Sequence, residues 1–332
     1  MKIVILDGHT LNPGDLSFEP LKEMGSVTCY DRTPSQLTAE RIGDAEIVFT
    51  NKTLIDRNIL DACPNIRYIG LFSTGYNVVD IKYAAERGIT VTNVPAYSTG
   101  AVAQHVFALV LAFTNKVAEH DRRVQEGEWT SSRDFCFYDR LTELEGKTMG
   151  VVGYGRIGRQ VAKIANAFGM SVLANARTPK QVPDGADIRF VDFDTLLAES
   201  DIVSLHCPLF EETKGLIGAE ALQKMKPTAL LINTSRGPVV NQAELAQALN
   251  KGVIAGAGLD VIDVEPMTVD NPLLHAKNCI ITPHIAWAAL ETRKRLLDTA
   301  VSNLRAFLDG SPVNVVNSPE QSYQNGERKR IF

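Results

Sequence analysis

Three polar residues in the second half of the chain have side chains suited to acid–base work on a small anion. Arg236, Glu265 and His284 each follow an apolar run of strand type within a few residues. A guanidinium can hold a carboxylate and a neighbouring carbonyl oxygen through two parallel hydrogen bonds. A histidine beside a carboxylate can exchange a proton with a substrate oxygen, because the carboxylate orients the ring and favours its charged form. Each residue alone is typical of a surface ion pair or a polar loop, but on three successive strand ends they indicate catalysis by a buried acid/base pair and an anion clamp.

A glycine-rich turn precedes these residues in the chain. Gly153-Tyr-Gly155-Arg-Ile-Gly158 follows an apolar run and opens a helical pattern that continues to about Phe168. The first glycine permits a tight turn, the second lets a pyrophosphate approach the backbone, and the third packs helix on strand. The helix N-terminus then offers N–H groups to the phosphates. A glycine-rich βα turn without a ligand is the alternative, but the position between a strand and a helix favours dinucleotide binding.

The end of the next strand bears on the choice of dinucleotide. An acidic residue there usually holds the ribose hydroxyls of NAD, and this chain has Ala176, followed by Arg177 and Thr178. Without the carboxylate a 2′-phosphate is not repelled, and Arg177 can offer it a fork of donors. We therefore expect NADP(H) to be favoured, with use of NAD(H) open. The alternative interpretation of Arg177 is a solvent-facing side chain at a strand end.

The elements that position these residues follow the pattern of parallel α/β proteins, in which apolar β-branched runs alternate with helical segments. The first series of predicted strands covers residues 2–6, 27–30, 47–49, 68–72 and 90–92. The second series covers residues 149–153, 171–174, 202–206, 229–233, 254–259 and 279–282. The two series predict two doubly wound parallel-sheet domains.

Two long helices and a tail complete the organisation. Residues 99–119 are mostly apolar and predict one long buried helix. Residues 290–309 predict a last helix that returns to the first domain, since no further strand of the second series follows it. The polar tail from Ser318 is predicted to be mobile.

Composition excludes several classes of protein. The 332 residues carry a formal charge of -5 and a pI near 5.8, which disfavours nucleic acid or an anionic membrane as partner. No apolar run approaches the ~20 residues of a membrane span. The five cysteines form no C-x-x-C pair, so we expect no bound metal and reduced cysteines in a cytoplasmic protein.

Several further segments of the sequence add to the evidence from the trio and the glycine turn. They are Ser73-Thr-Gly-Tyr-Asn-Val-Val-Asp80, Asn93-Val-Pro-Ala, the glycine turn, His206-Cys-Pro-Leu, Asn233-Thr-Ser-Arg-Gly, Gly258-Leu-Asp260 through Glu265-Pro266, and Pro283-His284. With them the chain resembles the NAD(P)-dependent D-2-hydroxyacid dehydrogenase family along almost all its length. Its glycerate dehydrogenase (hydroxypyruvate reductase) branch is most similar at Asn93-Val-Pro-Ala-Tyr-Ser-Thr, Asp134-Phe-Cys-Phe-Tyr-Asp and His284-Ile-Ala-Trp-Ala.

The resemblance implies a fold and an assembly. It implies a Rossmann dinucleotide-binding domain of residues 99–287 and a discontinuous, flavodoxin-like substrate domain of residues 1–98 and 288–332. It also implies a homodimer built largely on the long helix and on an arm of residues 121–146.

The resemblance also implies roles for individual residues. Arg236, Glu265 and His284 match the family's catalytic trio. The implied substrate-binding residues are Ser73, Thr74, Gly75, Arg236 and Trp287. The implied cofactor-binding residues are Thr74, Gly153, Gly155, Arg156, Ile157, Gly158, Ala176, Arg177, Thr178, Cys207, Pro208, Thr213, Thr234, Ser235, Asp260 and His284.

The expected reaction is reversible hydride transfer between NAD(P)H and a small 2-keto acid, with hydroxypyruvate or glyoxylate giving D-glycerate or glycolate. Formate is disfavoured, because the family's formate branch has an amide where this chain has Glu265. Two alternatives stay open: a corepressor-like protein that senses dinucleotides on the same fold, and a dehydrogenase for another short 2-keto acid.

Overall fold

The computed structural model describes residues 1–178, 181–182 and 184–318. The chain divides into two compact units, here called unit 1 (Met1–Tyr97 with the segment from Ala288 onwards) and unit 2 (Ser98–Trp287). Beyond Ser318, the tail for which mobility is predicted lies outside the described residues.

Unit 1 contains an all-parallel sheet. Its strands, numbered in chain order, are β1 (Lys2–Ile5), β2 (Ser26–Cys29), β3 (Ile47–Thr50), β4 (Tyr68–Leu71) and β5 (Thr90–Thr92). They pair in the order β2-β1-β3-β4-β5, the flavodoxin-like doubly wound arrangement. Every residue of β3 and β4 is buried, as expected for strands covered on both faces.

The helices of unit 1 are α1 (Glu19–Lys22), α2 (Thr38–Ile42), α3 (Arg57–Ala62), α4 (Ile81–Glu86) and α11 (Leu290–Leu308). Asp56 and Asp80 cap α3 and α4, because each carboxylate accepts a hydrogen bond from a backbone N–H of the first turn. The last helix packs on β4, with the rings of Phe307 and Tyr68 4.9 Å apart. Its predicted return to the first sheet is therefore confirmed.

Unit 2 contains the second parallel sheet. Its strands are β6 (Thr148–Val152), β7 (Ser171–Asn175), β8 (Ile188–Phe190), β9 (Ile202–Leu205), β10 (Leu230–Asn233), β11 (Gly256–Leu259) and β12 (Cys279–Ile281). They pair in the order β12-β11-β10-β9-β6-β7-β8, so the direction of winding reverses between β6 and β9. Open α/β sheets bind ligands at such a switch point, beyond the carboxyl ends of the strands. The sequence did not predict β8, an edge strand in which no residue is fully buried.

The helices of unit 2 are α5 (Thr99–Thr114), α6 (Val117–Gln125), α7 (Arg156–Ala167), α8 (Phe193–Glu199), α9 (Ala219–Lys224) and α10 (Gln242–Lys251). The single helix predicted for residues 99–119 is wrong. It ends at Thr114, and Lys116 has a left-handed φ of 50°, which interrupts helical hydrogen bonding. Among the described residues no single helix has the length and apolar content of a membrane span; α5 and α6 together, bent by 52°, meet that test by length and composition only.

Candidate active site

Three neighbouring strands of unit 2 end side by side. Asn233, Leu259 and Ile281 are register partners at the ends of β10, β11 and β12. The pairing continues one residue further, since Asp260 N–H donates to the Asn233 carbonyl (2.9 Å) and Thr282 N–H to the Leu259 carbonyl (2.8 Å). The loops that carry Arg236, Glu265 and His284 therefore leave the same edge of the sheet.

His284 and Glu265 are in direct contact. The Nδ1 atom of His284 lies 2.6 Å from Oε2 of Glu265, and the other carboxylate oxygen accepts from the N–H of Ile262 at 3.2 Å. With Nδ1 bonded to the carboxylate, Nε2 is the ring nitrogen placed to exchange a proton with a ligand. The side chains are 32% and 34% exposed, so the acid/base pair, expected to be buried, is partly open to solvent in unit 2.

The backbone of His284 is held in an unusual conformation. Its φ is 55°, in the left-handed region that costs a non-glycine residue roughly 1–3 kcal/mol. The N–H of His284 donates to the carbonyl oxygens of Asp260 and Thr282, both at 2.9 Å. Strain of this kind persists only where surrounding contacts determine the backbone.

The carboxylate of Asp260 supplies such contacts. It is 1% exposed and accepts from the backbone N–H groups of Ile285 and Ala286 at 2.9 Å and from the Thr282 hydroxyl at 2.6 Å. The Thr282 hydroxyl also lies 2.9 Å from Nε2 of His105 on α5. Asp260 thus anchors the loop that carries His284. Sequence reasoning placed Asp260 only at a cofactor contact and missed this anchor, because its partners lie far away in the chain.

Arg236 lies in the neighbouring loop. Its side chain is exposed, and Nη1 donates to the carbonyl of Ser235 at 2.7 Å. The Asn233 side chain braces the loop, accepting from the N–H of Ser235 and donating to the carbonyl of Arg236. Gly237 packs so closely on the next loop that a Cβ there would lie 2.0 Å from the carbonyl carbon of Ile262. The structure thus brings Glu265 and His284 into contact and Arg236 into the adjoining loop.

The three glycines of the turn after β6 have different surroundings. Gly153 has a φ of 96°, and a Cβ there would lie 2.7 Å from the backbone N of Cys207. A Cβ on Gly158 would lie 2.2 Å from the carbonyl oxygen of Gly153, so both glycines are required by packing. A Cβ on Gly155 would meet nothing within 4 Å. Open space therefore lies above Gly155 at the N-terminus of α7, where Arg156 and Ile157 begin the helix, and this arrangement fits a dinucleotide pyrophosphate.

The loop after β9 lies against this turn. Burial lowers the pKa of His206 to about 3, and its Nε2 lies 2.9 Å from the Ser204 hydroxyl, so this histidine is neutral near pH 7 and unsuited to acid–base work. Cys207 is buried, and burial raises the pKa of its thiol. The Thr213 hydroxyl closes the turn, accepting from the N–H of Phe210 at 2.8 Å and donating to the carbonyl of Pro208 at 2.7 Å.

One polar atom at this edge lacks a partner within the part of the chain that the structure describes. The hydroxyl of Thr234, which follows β10, is buried and makes no hydrogen bond. Burying an unpaired hydroxyl is unfavourable. An additional ligand at this edge would relieve that cost, in agreement with the predicted cofactor contact of Thr234.

The end of β7 combines an apolar and a basic residue. Ala176 is partly buried and packs on the hydrophobic cluster beneath the glycine turn. Arg177 and Thr178 are exposed, and the guanidinium carbon of Arg177 lies 5.5 Å from the centroid of the Phe210 ring. Phe210 is not among the predicted site residues, because nothing in the sequence indicates which arginine a single phenylalanine contacts.

The loop of residues 73–75 belongs to unit 1 and follows β4. The hydroxyl of Thr74 donates to the carbonyl of Val94 at 2.8 Å, and the hydroxyl of Ser73 donates to the carbonyl of Gly75 at 2.6 Å. The backbone N–H groups of Thr74 and Gly75 make no hydrogen bond within the described residues. Two such N–H groups can bind an anion. Trp287, the last residue of unit 2, is partly buried.

A family model, two similar sequences and a solved structure were found to match this chain. The model for the D-isomer specific 2-hydroxyacid dehydrogenase, NAD binding domain, matches residues 107–286. A hydroxypyruvate reductase of Blautia hydrogenotrophica is 52% identical over 96% of this chain and 100% of its own. A glycerate dehydrogenase of Methylorubrum extorquens is 40% identical over 96% of this chain and 99% of its own. The crystal structure of the TT0316 protein from Thermus thermophilus superposes with a TM-score of 0.85 at 37% identity, covering 95% of this chain and 100% of that one.

Proposed function

The chain belongs to the D-isomer specific 2-hydroxyacid dehydrogenases, NAD(P)-dependent oxidoreductases, and we propose that it interconverts hydroxypyruvate and D-glycerate and also reduces glyoxylate. The observation that carries the proposal is the 2.6 Å contact of His284 with Glu265, at the same sheet edge as Arg236. The proposed substrates are supported by the names of the relatives, which include a hydroxypyruvate reductase, a glycerate dehydrogenase and several glyoxylate reductases.

We propose the following roles for the predicted trio. The nicotinamide, when bound, supplies the hydride to the carbonyl carbon. His284 donates the proton from Nε2 to the carbonyl oxygen, while Glu265 holds the ring through Nδ1. Arg236 stabilises the negative charge that develops on that oxygen. In the reverse direction neutral His284 accepts the hydroxyl proton.

We propose that residues 73–75 bind the substrate carboxylate. The support is their pair of unbonded backbone N–H groups and the hydrogen bonds that fix the loop to Val94 and Asn93. Trp287 is proposed as a second substrate contact, on the resemblance alone. On this assignment unit 1 is the substrate domain and unit 2 the dinucleotide domain.

Within the nicotinamide cofactors we propose a preference for NADP(H). Ala176 carries no charge that would repel a 2′-phosphate, and Arg177 is exposed two residues after β7. Thr178, Thr213, Ser235 and the other predicted contacts stay proposals for the same site. The residues of the glycine turn fit either nicotinamide dinucleotide, so the preference depends on the end of β7.

We also propose a cytoplasmic homodimer. The arm of residues 121–146 exposes Trp129, Phe135 and Tyr138, at 50%, 80% and 76% of their surface. Large aromatic side chains exposed together are typical of a covered interface. All five cysteines are unpaired, which suits a reducing compartment.

The direct test is a steady-state panel of hydroxypyruvate, glyoxylate, pyruvate and a longer 2-keto acid, each with NADPH and NADH, followed by absorbance. Oxidation of the cofactor with hydroxypyruvate at the highest kcat/KM supports the proposal. Tight cofactor binding with no turnover of any acid would favour the corepressor-like alternative. A higher kcat/KM for another acid would favour the alternative of a dehydrogenase for another short 2-keto acid.

A further inference from the structure

Arg177 and Phe210 lie in two different loops of unit 2 and contact each other. Arg177 follows β7 and Phe210 follows β9, and β6 lies between these two strands in the sheet. The guanidinium carbon lies 5.5 Å from the ring centroid, within the range of a cation–π contact. The contact therefore joins the two loops that follow the strands on either side of β6, the strand that leads into the glycine turn.

Two hydrogen bonds hold the backbone of Phe210. Its N–H donates to the Thr213 hydroxyl at 2.8 Å, and its carbonyl accepts from the N–H of Lys214 at 3.0 Å. The side chain is 47% exposed, so it is a surface platform and not a core residue. A ring on a closed turn can restrict an arginine side chain that lies over its face.

An arginine side chain loses rotamer freedom when it binds a ligand, and this loss opposes binding. A contact that restricts the side chain beforehand lowers that loss on binding. The Phe210 ring itself has no donor for a phosphate oxygen. Any effect of the ring on binding a 2′-phosphate must therefore pass through a neighbouring donor.

We propose that Phe210 is a positioning residue that holds Arg177 for the 2′-phosphate of NADP(H). This inference rests on the proposed preference for NADP(H) and names a residue that determines it. On this inference Phe210 favours NADP(H) over NAD(H) through Arg177, and the ring itself does not contact the 2′-phosphate.

The test measures binding of two small probes to the purified full-length protein by calorimetry. One probe, 2′,5′-ADP, carries the 2′-phosphate, and the other, 5′-AMP, lacks it. The wild type is expected to bind 2′,5′-ADP more tightly. Phe210→Leu should weaken binding of 2′,5′-ADP roughly two- to fivefold, as for a surface cation–π contact, and leave 5′-AMP unchanged. Phe210→Tyr keeps the ring and should bind both probes as the wild type does.

A double-mutant cycle separates positioning from a general effect on the loop. In an Arg177→Gln background, Phe210→Leu should cause no further loss of 2′,5′-ADP binding. Equal losses for both probes, or an undiminished loss in that background, would overturn the inference, as would wild-type binding by Phe210→Leu.

The outcome also distinguishes this inference from the proposed reaction. A wild type that reduces hydroxypyruvate but binds both probes equally would overturn the role of Phe210 and the NADP(H) preference, not the dehydrogenase activity. A protein that shows the expected probe binding but reduces no 2-keto acid would contradict the reaction and support the role of Phe210.

Discussion

Asp260 binds the loop of His284 with both its backbone and its side chain. Its carbonyl accepts from the N–H of His284 at 2.9 Å, and its carboxylate accepts from the next two backbone N–H groups, also at 2.9 Å. Asp260 therefore helps to hold the strained backbone of His284, together with the carbonyl of Thr282.

Replacing Asp260 with Asn should loosen this loop. The amide NH₂ would face a backbone N–H, leaving a buried donor unsatisfied at a cost of about 1–3 kcal/mol. We expect a lower free energy of unfolding, faster hydrogen exchange in residues 282–286 and a reduced kcat. The matched control is Asp270→Asn, at an exposed aspartate in the segment between β11 and β12. Unchanged exchange in Asp260→Asn would show that the carboxylate does not hold the loop.

Replacing His284 with Gln should lower kcat with hydroxypyruvate by roughly 100- to 10,000-fold, the usual contribution of a general acid. Cofactor binding should change much less than kcat, because the glycine turn and the end of β7 are untouched. His275→Gln, at an exposed histidine, should retain the wild-type rate. Wild-type turnover in His284→Gln would remove the acid–base assignment.

Gly155 and Gly158 should respond differently to alanine. A Cβ on Gly155 meets nothing within 4 Å and its φ is -82°, so Gly155→Ala should keep the wild-type free energy of unfolding while weakening NADPH binding. A Cβ on Gly158 would lie 2.2 Å from a backbone oxygen, so Gly158→Ala should lower both the free energy of unfolding and the affinity for NADPH. Chemical denaturation and calorimetry measure the two effects. Undiminished NADPH binding in Gly155→Ala would place the pyrophosphate elsewhere.

Acidification should destabilise the fold through His206. Burial lowers the pKa of this residue from 6.5 to about 3, so between these values the unfolded chain binds a proton that the folded chain does not. The free energy of unfolding therefore falls as the pH is lowered. From pH 6.5 to about pH 5 the loss due to His206 should be about 1–2 kcal/mol. Urea unfolding at each pH should show a flatter dependence in His206→Gln than in the His275→Gln control.

Phe135→Ser should convert the proposed homodimer into a monomer, because Phe135 is 80% exposed within the arm. Light scattering after size exclusion measures the mass. Val269→Ser, at a valine that is 90% exposed outside the arm, should leave the mass unchanged. A wild type that is already a monomer would contradict the proposed assembly.

The alternation of strands and helices and the glycine turn could be predicted from the residues alone. These are local features, since apolar β-branched runs and glycine positions report their own backbone preferences. Prediction failed where local preference is weak. The edge strand β8 pairs with β7 and has no fully buried residue, and the helix break at Lys116 has no glycine or proline to mark it.

Which side chains meet depends on the folded chain. Strand register places Asp260 beside the loop of His284, and sheet order places Phe210 beside Arg177. Neither pair is close in the chain, and the sequence contains no local signal for either contact. Such contacts depend on how strands pair across the whole sheet, which no short segment of the chain specifies.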